Sequence, residues 1–260
     1  MEKRSSRLSA GVIAGTLVVI LVAAVCARLG VWQLDRRAER LARNEAIAAR
    51  MALPPLTLES IPADTTGLVY RVAEVVGEYD ASGGIILAGR SYQGATGAYL
   101  LVPLRLADGT AILVHRGWLP ALDPGKVDPA EYTPAGQVEV RGLLMAYPEL
   151  RGAGAETEGA GADAAGDGFR RLWYRMDVER WRRQSPYPLA PLYLQQLPDP
   201  VPADRFPVAL PAPVLDEGPH LGYAIQWFSF GLIALVGWVI LLIRRQDRAA
   251  ARTGRAATHR

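Results

Sequence analysis

Gly218-Pro219-His220-Leu221-Gly222-Tyr223-Ala224-Ile225-Gln226-Trp227-Phe228 runs without a break into an apolar, uncharged segment that ends at Ile243. Residues 223–243 are long enough to cross a bilayer, because a hydrocarbon core of ~30 Å takes about 20 helical residues. A histidine, a glutamine and aromatic rings therefore stand in the first turns of a membrane span. Polar groups are costly in hydrocarbon, so their presence marks a candidate functional site. The rest of the chain is read outward from this segment.

Residues 8–27 form a second uncharged apolar stretch of spanning length. Half of the 260 residues are hydrophobic, and the chain carries a formal charge of +3. That charge is unevenly placed. Lys3, Arg4 and Arg7 precede the first stretch, and Arg244, Arg245, Arg248, Arg252, Arg255 and Arg260 follow the second, whereas the region between holds an acidic excess. Short basic flanks stay cytoplasmic, while a long loop crosses largely regardless of its charge. The expected topology has both termini cytoplasmic and one large domain outside, and it gives no reason to expect nucleic acid as a partner. A cleaved signal peptide competes for residues 8–27, with Lys3-Arg4 as its basic region and Val25-Cys26-Ala27 as a cleavage site. The apolar stretch exceeds the usual length for that, and the helical pattern continues past it, which favours an uncleaved anchor. Val25 is too large for a lipoprotein site at Cys26.

Cys26 is the only cysteine. The outer domain thus holds no disulfide and relies on its own core. The four methionines of the chain (Met1, Met51, Met145, Met176) are scattered, which argues against a copper carrier, since that needs thiolates or clustered thioethers.

The domain plan that follows is a cytoplasmic tail at 1–7, a transmembrane helix at 8–27, a helical extension at 28–52, a β-rich extracytoplasmic domain at 53–222, a second transmembrane helix at 223–243 and a cytoplasmic tail at 244–260. Ala, Leu, Arg and Glu are strong helix formers and carry the extension to the stop at Leu53-Pro54-Pro55. Strands are expected at 70–79, 85–89, 99–106, 110–118, 137–145, 172–176 and 192–197. Ala107-Asp108-Gly109 marks a hairpin. A short helix at 177–184 would be capped by Asp177. This spacing suggests a small antiparallel barrel or sandwich, so the fold class is membrane α+β. The Gly/Ala/acid run at 151–168 reads as a disordered loop, and 198–213 as an extended proline-rich lead-in.

Among single residues, His220 stands first. Pro219 suits the first turn of a helix, and a neutral imidazole there can coordinate haem iron or hydrogen-bond a partner. It can equally anchor the helix among headgroups. Gln226 is read as bonding to the first span, because an unpaired amide is expensive at that depth. Tyr223 and Trp227 form either an aromatic belt or the wall of a slot for a planar ligand. His115 is given a structural role, with Gly117 allowing close backbone approach and Arg116 pairing with a carboxylate. A three-histidine metal site is excluded, no catalytic motif stands out, and the short tails leave no room for a signalling module.

Three motifs then resemble the Surf1 (Shy1-type) family. Leu29-Gly30-Val31-Trp32-Gln33-Leu34-Asp35-Arg36 is similar to its LGxWQxxR signature, Arg116-Gly117-Trp118-Leu119-Pro120 to its RGW strand end, and Pro219–Phe228 to its PHLxYAxQWF motif. The resemblance implies a non-catalytic assembly factor for haem-copper cytochrome c oxidase that assists insertion of haem a, with oxidase subunit I, haem a synthase and membrane lipid as partners. It also implies a haem-associated role for His220 beside Tyr223, Gln226 and Trp227. Gly30, Trp32, Gln33, Arg36, Arg116, Gly117 and Trp118 would serve the partner interface. A scaffold or accessory subunit that binds no haem is the alternative. His115 departs from the family's usual asparagine, and 172–177 keeps only Trp173 and Asp177 of an N-x-W-x-x-x-D pattern. Richness in alanine and arginine fits a GC-rich bacterial genome, and no transit peptide precedes Leu8, so the expected location is a bacterial plasma membrane rather than a mitochondrion.

Overall fold

A computed structural model describes residues 10–148, 169–199 and 205–257. The loop expected at 151–168 and the tail at 1–7 lie outside the described residues. The chain divides into a helical unit, Met1–Ala46 with Leu215–Arg260, and a β unit, Ile47–Val214.

The helical unit pairs α1 (Ala10–Met51) with α3 (His220–Ala257). Both are long and apolar enough to cross a bilayer. The less exposed positions of α1 include Thr16, Val19, Ala23, Cys26, Gly30, Gln33, Arg37, Arg40 and Asn44, spaced alternately three and four apart. On α3 they include His220, Ala224, Trp227, Gly231, Ala234 and Trp238. A 3.5-residue repeat keeps one seam of each helix on its partner. The seam is antiparallel: Trp238 Nε1 donates to Thr16 Oγ1 at 3.0 Å, Gly231 lies on Ala23 and Cys26, and Gln33 meets His220. Small residues admit this close approach, which is how helices pack without a hydrophobic drive between them.

The β unit is built on one sheet. Its strands are β1 (Leu56–Leu58), β2 (Val72–Tyr79), β3 (Ile85–Tyr92), β4 (Ala95–Arg105), β5 (Ala111–Pro120), β6 (Gln137–Ala146), β7 (Leu172–Trp173) and β8 (Leu189–Gln196). A short helix, α2 (Val178–Gln184), precedes β8, and the Asp177 carboxylate caps it by accepting from Arg180 N. The order is β1-β2-β6-β8-β5-β4-β3-β7, and a further β2–β4 pairing closes β2, β6, β8, β5 and β4 into a ring. Inside it lie Val75, Leu100, Val102, Ile112, Val114, Leu144 and Leu194. Outside one wall, Ile85, Leu87, Leu101, Leu113, Trp173 and Trp181 form a second cluster. A helix as short as α2 is unstable alone, and burial of Trp181 holds it in place.

The expectation of an antiparallel sheet is corrected in part: β1–β2, β5–β8 and β3–β7 are parallel. Parallel neighbours require long crossovers, and the long stretch after β6 supplies one. Strand ends also move: β2 begins at Val72, β4 begins at Ala95, β5 runs on to Pro120 and β8 begins at Leu189. The strand expected to stop at Gly89 continues to Tyr92, because Gly89 sits at a register shift between Leu87 and Arg90. It then turns through Gln93-Gly94, both at positive φ, the requirement of a tight hairpin. The strand expected at 172–176 is only two residues long.

Candidate functional site

On the helical unit, Pro219 supplies the first helical carbonyl of α3, accepting from Tyr223 N at 3.1 Å. The helix therefore starts with the His220 side chain on the seam. His220 Nδ1 lies 2.8 Å from Gln33 Oε1, and Gln33 is 9% exposed. With the Gln33 oxygen as acceptor, Nδ1–H donates and Nε2 is the nitrogen left outside that bond, an arrangement in which a histidine is oriented through one ring nitrogen while the other stays available. One turn deeper the Phe228 ring covers Gly30. A Cβ on Gly30 would lie 2.6 Å from Phe228 Cε1. At the open end, Arg37 Nη2 donates to Glu217 at 2.6 Å, Arg40 pairs with Asp216, and Asn44 donates to the Asp216 carbonyl at 2.7 Å. Half-exposed pairs of this kind contribute ~1 kcal/mol or less each.

The structure separates the residues read together from sequence. His220 and Trp227 lie on the seam, with the Trp227 ring edge-on to Phe230 at 6.0 Å. Tyr223 and Gln226 are exposed, and helical phase turns Gln226 away from the seam. The reading of Gln226 as the amide that bonds the first span is thereby overturned. Gln33 makes the interhelical bond to His220, because its place in the three-four repeat puts it on the seam and that of Gln226 does not. Gly30 and Gln33 are seam residues, whereas Trp32 is exposed and Arg36 pairs with Glu39 along its own helix at 2.5 Å.

On the β unit, Arg116 and Gly117 form a β-bulge. Leu100 pairs with Gly117 and Leu101 with His115, which leaves Arg116 as the extra residue. Bulges re-aim side chains, and this one does so visibly. Ile112 and Val114 face inward before it, and Leu119 faces inward after it. Gly117 has φ 135°, and a Cβ there would collide with the Val208 carbonyl. The segment around Val208 lies flat on the strand through two hydrogen bonds with Trp118, of 2.8 and 2.6 Å. Arg116 does not meet the expected carboxylate. Its Nη1 donates to the Tyr132 carbonyl, and its guanidinium lies 5.0 Å from the Tyr79 ring centroid. Burial pushes the Tyr79 hydroxyl up to about 12, with the Arg116 charge opposing.

Sequence comparison decides what this arrangement belongs to. Residues 20–232, which include all three motifs, match the SURF1 family. The chain belongs to the SURF1 family. Among similar proteins, a SURF1-like protein of Monosiga brevicollis is 26% identical over 86% of each chain. A SURF1-like protein of Mycobacterium tuberculosis is 26% identical over 96% of this chain and 92% of its own. Surfeit locus protein 1 of Rattus norvegicus is 24% identical over 87% of this chain and 75% of its own. SURF1 proteins are known in general as cytochrome oxidase assembly factors and are not a known enzyme family. Among the described residues, no three His, Cys, Asp or Glu side chains gather as a metal site. Sequence reading missed Gln33 as the partner of His220, and Asp216 and Glu217 as the acids facing Arg40 and Arg37. The three-four spacing of Cys26, Gly30, Gln33, Arg37 and Arg40 was the signal available.

Proposed function

We propose that this chain is a membrane-anchored, non-catalytic assembly factor for haem-copper cytochrome c oxidase that assists insertion of haem a into subunit I. On this reading both helices span a bacterial plasma membrane, the termini are cytoplasmic and the β unit lies outside. Haem a synthase is the neighbour that supplies the cofactor.

The observation that carries the reading is the Gln33–His220 pair. It joins the two motifs that flank the barrel in sequence, and it leaves Nε2 of the imidazole outside the bond. Unprotonated, Nε2 would be a nitrogen donor of the kind that holds haem iron. His220 would hold the iron and Gln33 would fix the ring that does so. Bound there, the haem would supply an iron centre awaiting transfer. The chain's own part is to hold the imidazole oriented through Gln33, with Gly30 and Phe228 locking the two helices in register.

The test is the absorption spectrum of protein purified from cells that make haem a. His220→Ala should lose the haem bands, and Gln33→Leu should weaken them. A His220→Ala spectrum identical to wild type would remove the haem role.

A scaffold reading has one observation in its favour, the outward amide of Gln226. An amide facing lipid calls for a partner group, as a neighbouring helix of the oxidase would provide. Stoichiometric co-purification with mature oxidase would select that reading. Normal oxidase content in a deletion strain would count against both.

A further inference from the structure

A second site lies on the outer wall of the barrel, where strand register gathers side chains that the readings above do not use. Leu87 pairs with Tyr99, Leu101 with His115, and His115 with Gln195. Tyr99, His115 and Gln195 therefore share one face. Arg90 would point the other way from Leu87 in a regular strand. The register shift between them places Arg90 opposite Gly97, two residues from Tyr99, and so returns it to the same face. A bulge beside a cleft that re-aims one cation is a recognised way of building a site.

These residues line a cleft of about 520 Å³, within the usual range for small-molecule sites. The Arg90 guanidinium lies 5.9 Å from the Tyr99 ring centroid, and the Tyr99 ring meets His115 edge-on at 4.6 Å. Arg90 Nη2 donates to the Tyr174 carbonyl at 2.9 Å, which fixes the plane of the guanidinium. Among the described residues its Nε–H is buried without a partner, and so is Nδ1 of His115, a residue only 6% exposed. Arg175 also lines the cleft, and among the described residues no carboxylate does. Among the described residues neither arginine forms an ion pair. Buried polar groups are normally satisfied, and a guanidinium without a counter-charge prefers a carboxylate, which it grips through parallel N–H bonds. The remaining wall is apolar or aromatic, with Leu87, Met176, Leu210 and Tyr193.

We propose that this cleft binds a small organic carboxylate, its anionic head on Arg90 and the His115 imidazole and its apolar or aromatic body against Leu87, Met176 and Leu210. His115 takes part as a neutral donor, since burial holds its imidazole down at about 4. The site is independent of the role given to His220.

The experiment is calorimetric titration of the full chain in detergent with 3-phenylpropionate, its neutral amide 3-phenylpropanamide, and inorganic phosphate. Saturable binding of the carboxylate is expected, with the amide and the phosphate each at least tenfold weaker. Arg90→Gln should abolish binding, and Arg90→Lys should restore part of it. The imidazole resonance of His115 in histidine-labelled wild-type protein should move on titration, which keeps the test valid even if a variant fails to fold. Equal affinity for the amide would overturn the proposal, as would carboxylate binding unchanged by Arg90→Gln, no saturation at millimolar ligand, or a stationary His115 resonance.

Discussion

Gly117→Ala should destabilise the β unit far more than an ordinary glycine replacement. At φ 135° an L-residue is strained, at a cost of roughly 1–3 kcal/mol. The new methyl would also collide with the Val208 carbonyl. Relief requires that the segment lift off, with loss of the two hydrogen bonds between Trp118 and Val208, each contributing ~1 kcal/mol. The combined loss is about 4 kcal/mol, a large share of the ~5–15 kcal/mol by which a domain is stable. At about 2–4 °C per kcal/mol for a domain of this size, the midpoint should fall by roughly 10 °C. Thermal unfolding in detergent, followed by tryptophan fluorescence, measures it. Gly109→Ala is the control, because Gly109 also has positive φ (82°) but has no atom within 4 Å of an added Cβ. It should cost only the strain, ~1–2 kcal/mol. Equal shifts for the two variants would refute the close-approach argument.

Three further outcomes follow from the packing and the titration. A Cβ on Gly231 would lie 3.3 Å from Cys26 Cβ, close to disulfide spacing, so Gly231→Cys should cross-link to Cys26 on mild oxidation, seen as a mobility shift on non-reducing gels. Adding Gly30→Leu, which pushes Phe228 away, should abolish that cross-link, and persistence would mean that the helices do not depend on Gly30 for contact. Burial, with Arg90 adding to it, holds folded His115 at about 4 against an ordinary 6.5. As pH falls through that window the unfolded chain takes up a proton first, so stability should fall between pH 6.5 and 4 by up to about 3 kcal/mol. His115→Gln should flatten that slope in urea titrations at pH 7 and pH 5, and an unchanged slope would assign the acid sensitivity elsewhere.

Local chemistry made much of this molecule legible. Lengths of uncharged residues located both long helices, and the cap at Asp177, the stop at Pro54-Pro55 and the Asp108-Gly109 turn lay where their residue types demand. What escaped was non-local. Gly89 looked like a strand end because an isolated glycine cannot announce whether its neighbours resume pairing, and β3 resumes. The insertion of β8 between β5 and β6 leaves no mark on the residues of any one strand. The site was half legible for the same reason. His220 stood out by its cost in an apolar context, but its partner Gln33 is 187 positions away. Gln226 attracted the assignment because it is near in sequence, although helical phase turns it outward.

The position of β8 also has a consequence for biogenesis. Among the described residues it is the last strand made, yet it separates β5 from β6, so a nascent chain that has delivered only the strands before it presents two raw edges with nothing to bridge them. Such edges are templates for aggregation. A product cut short before Leu189 therefore has no keystone, while one reaching Gln196 can close its ring.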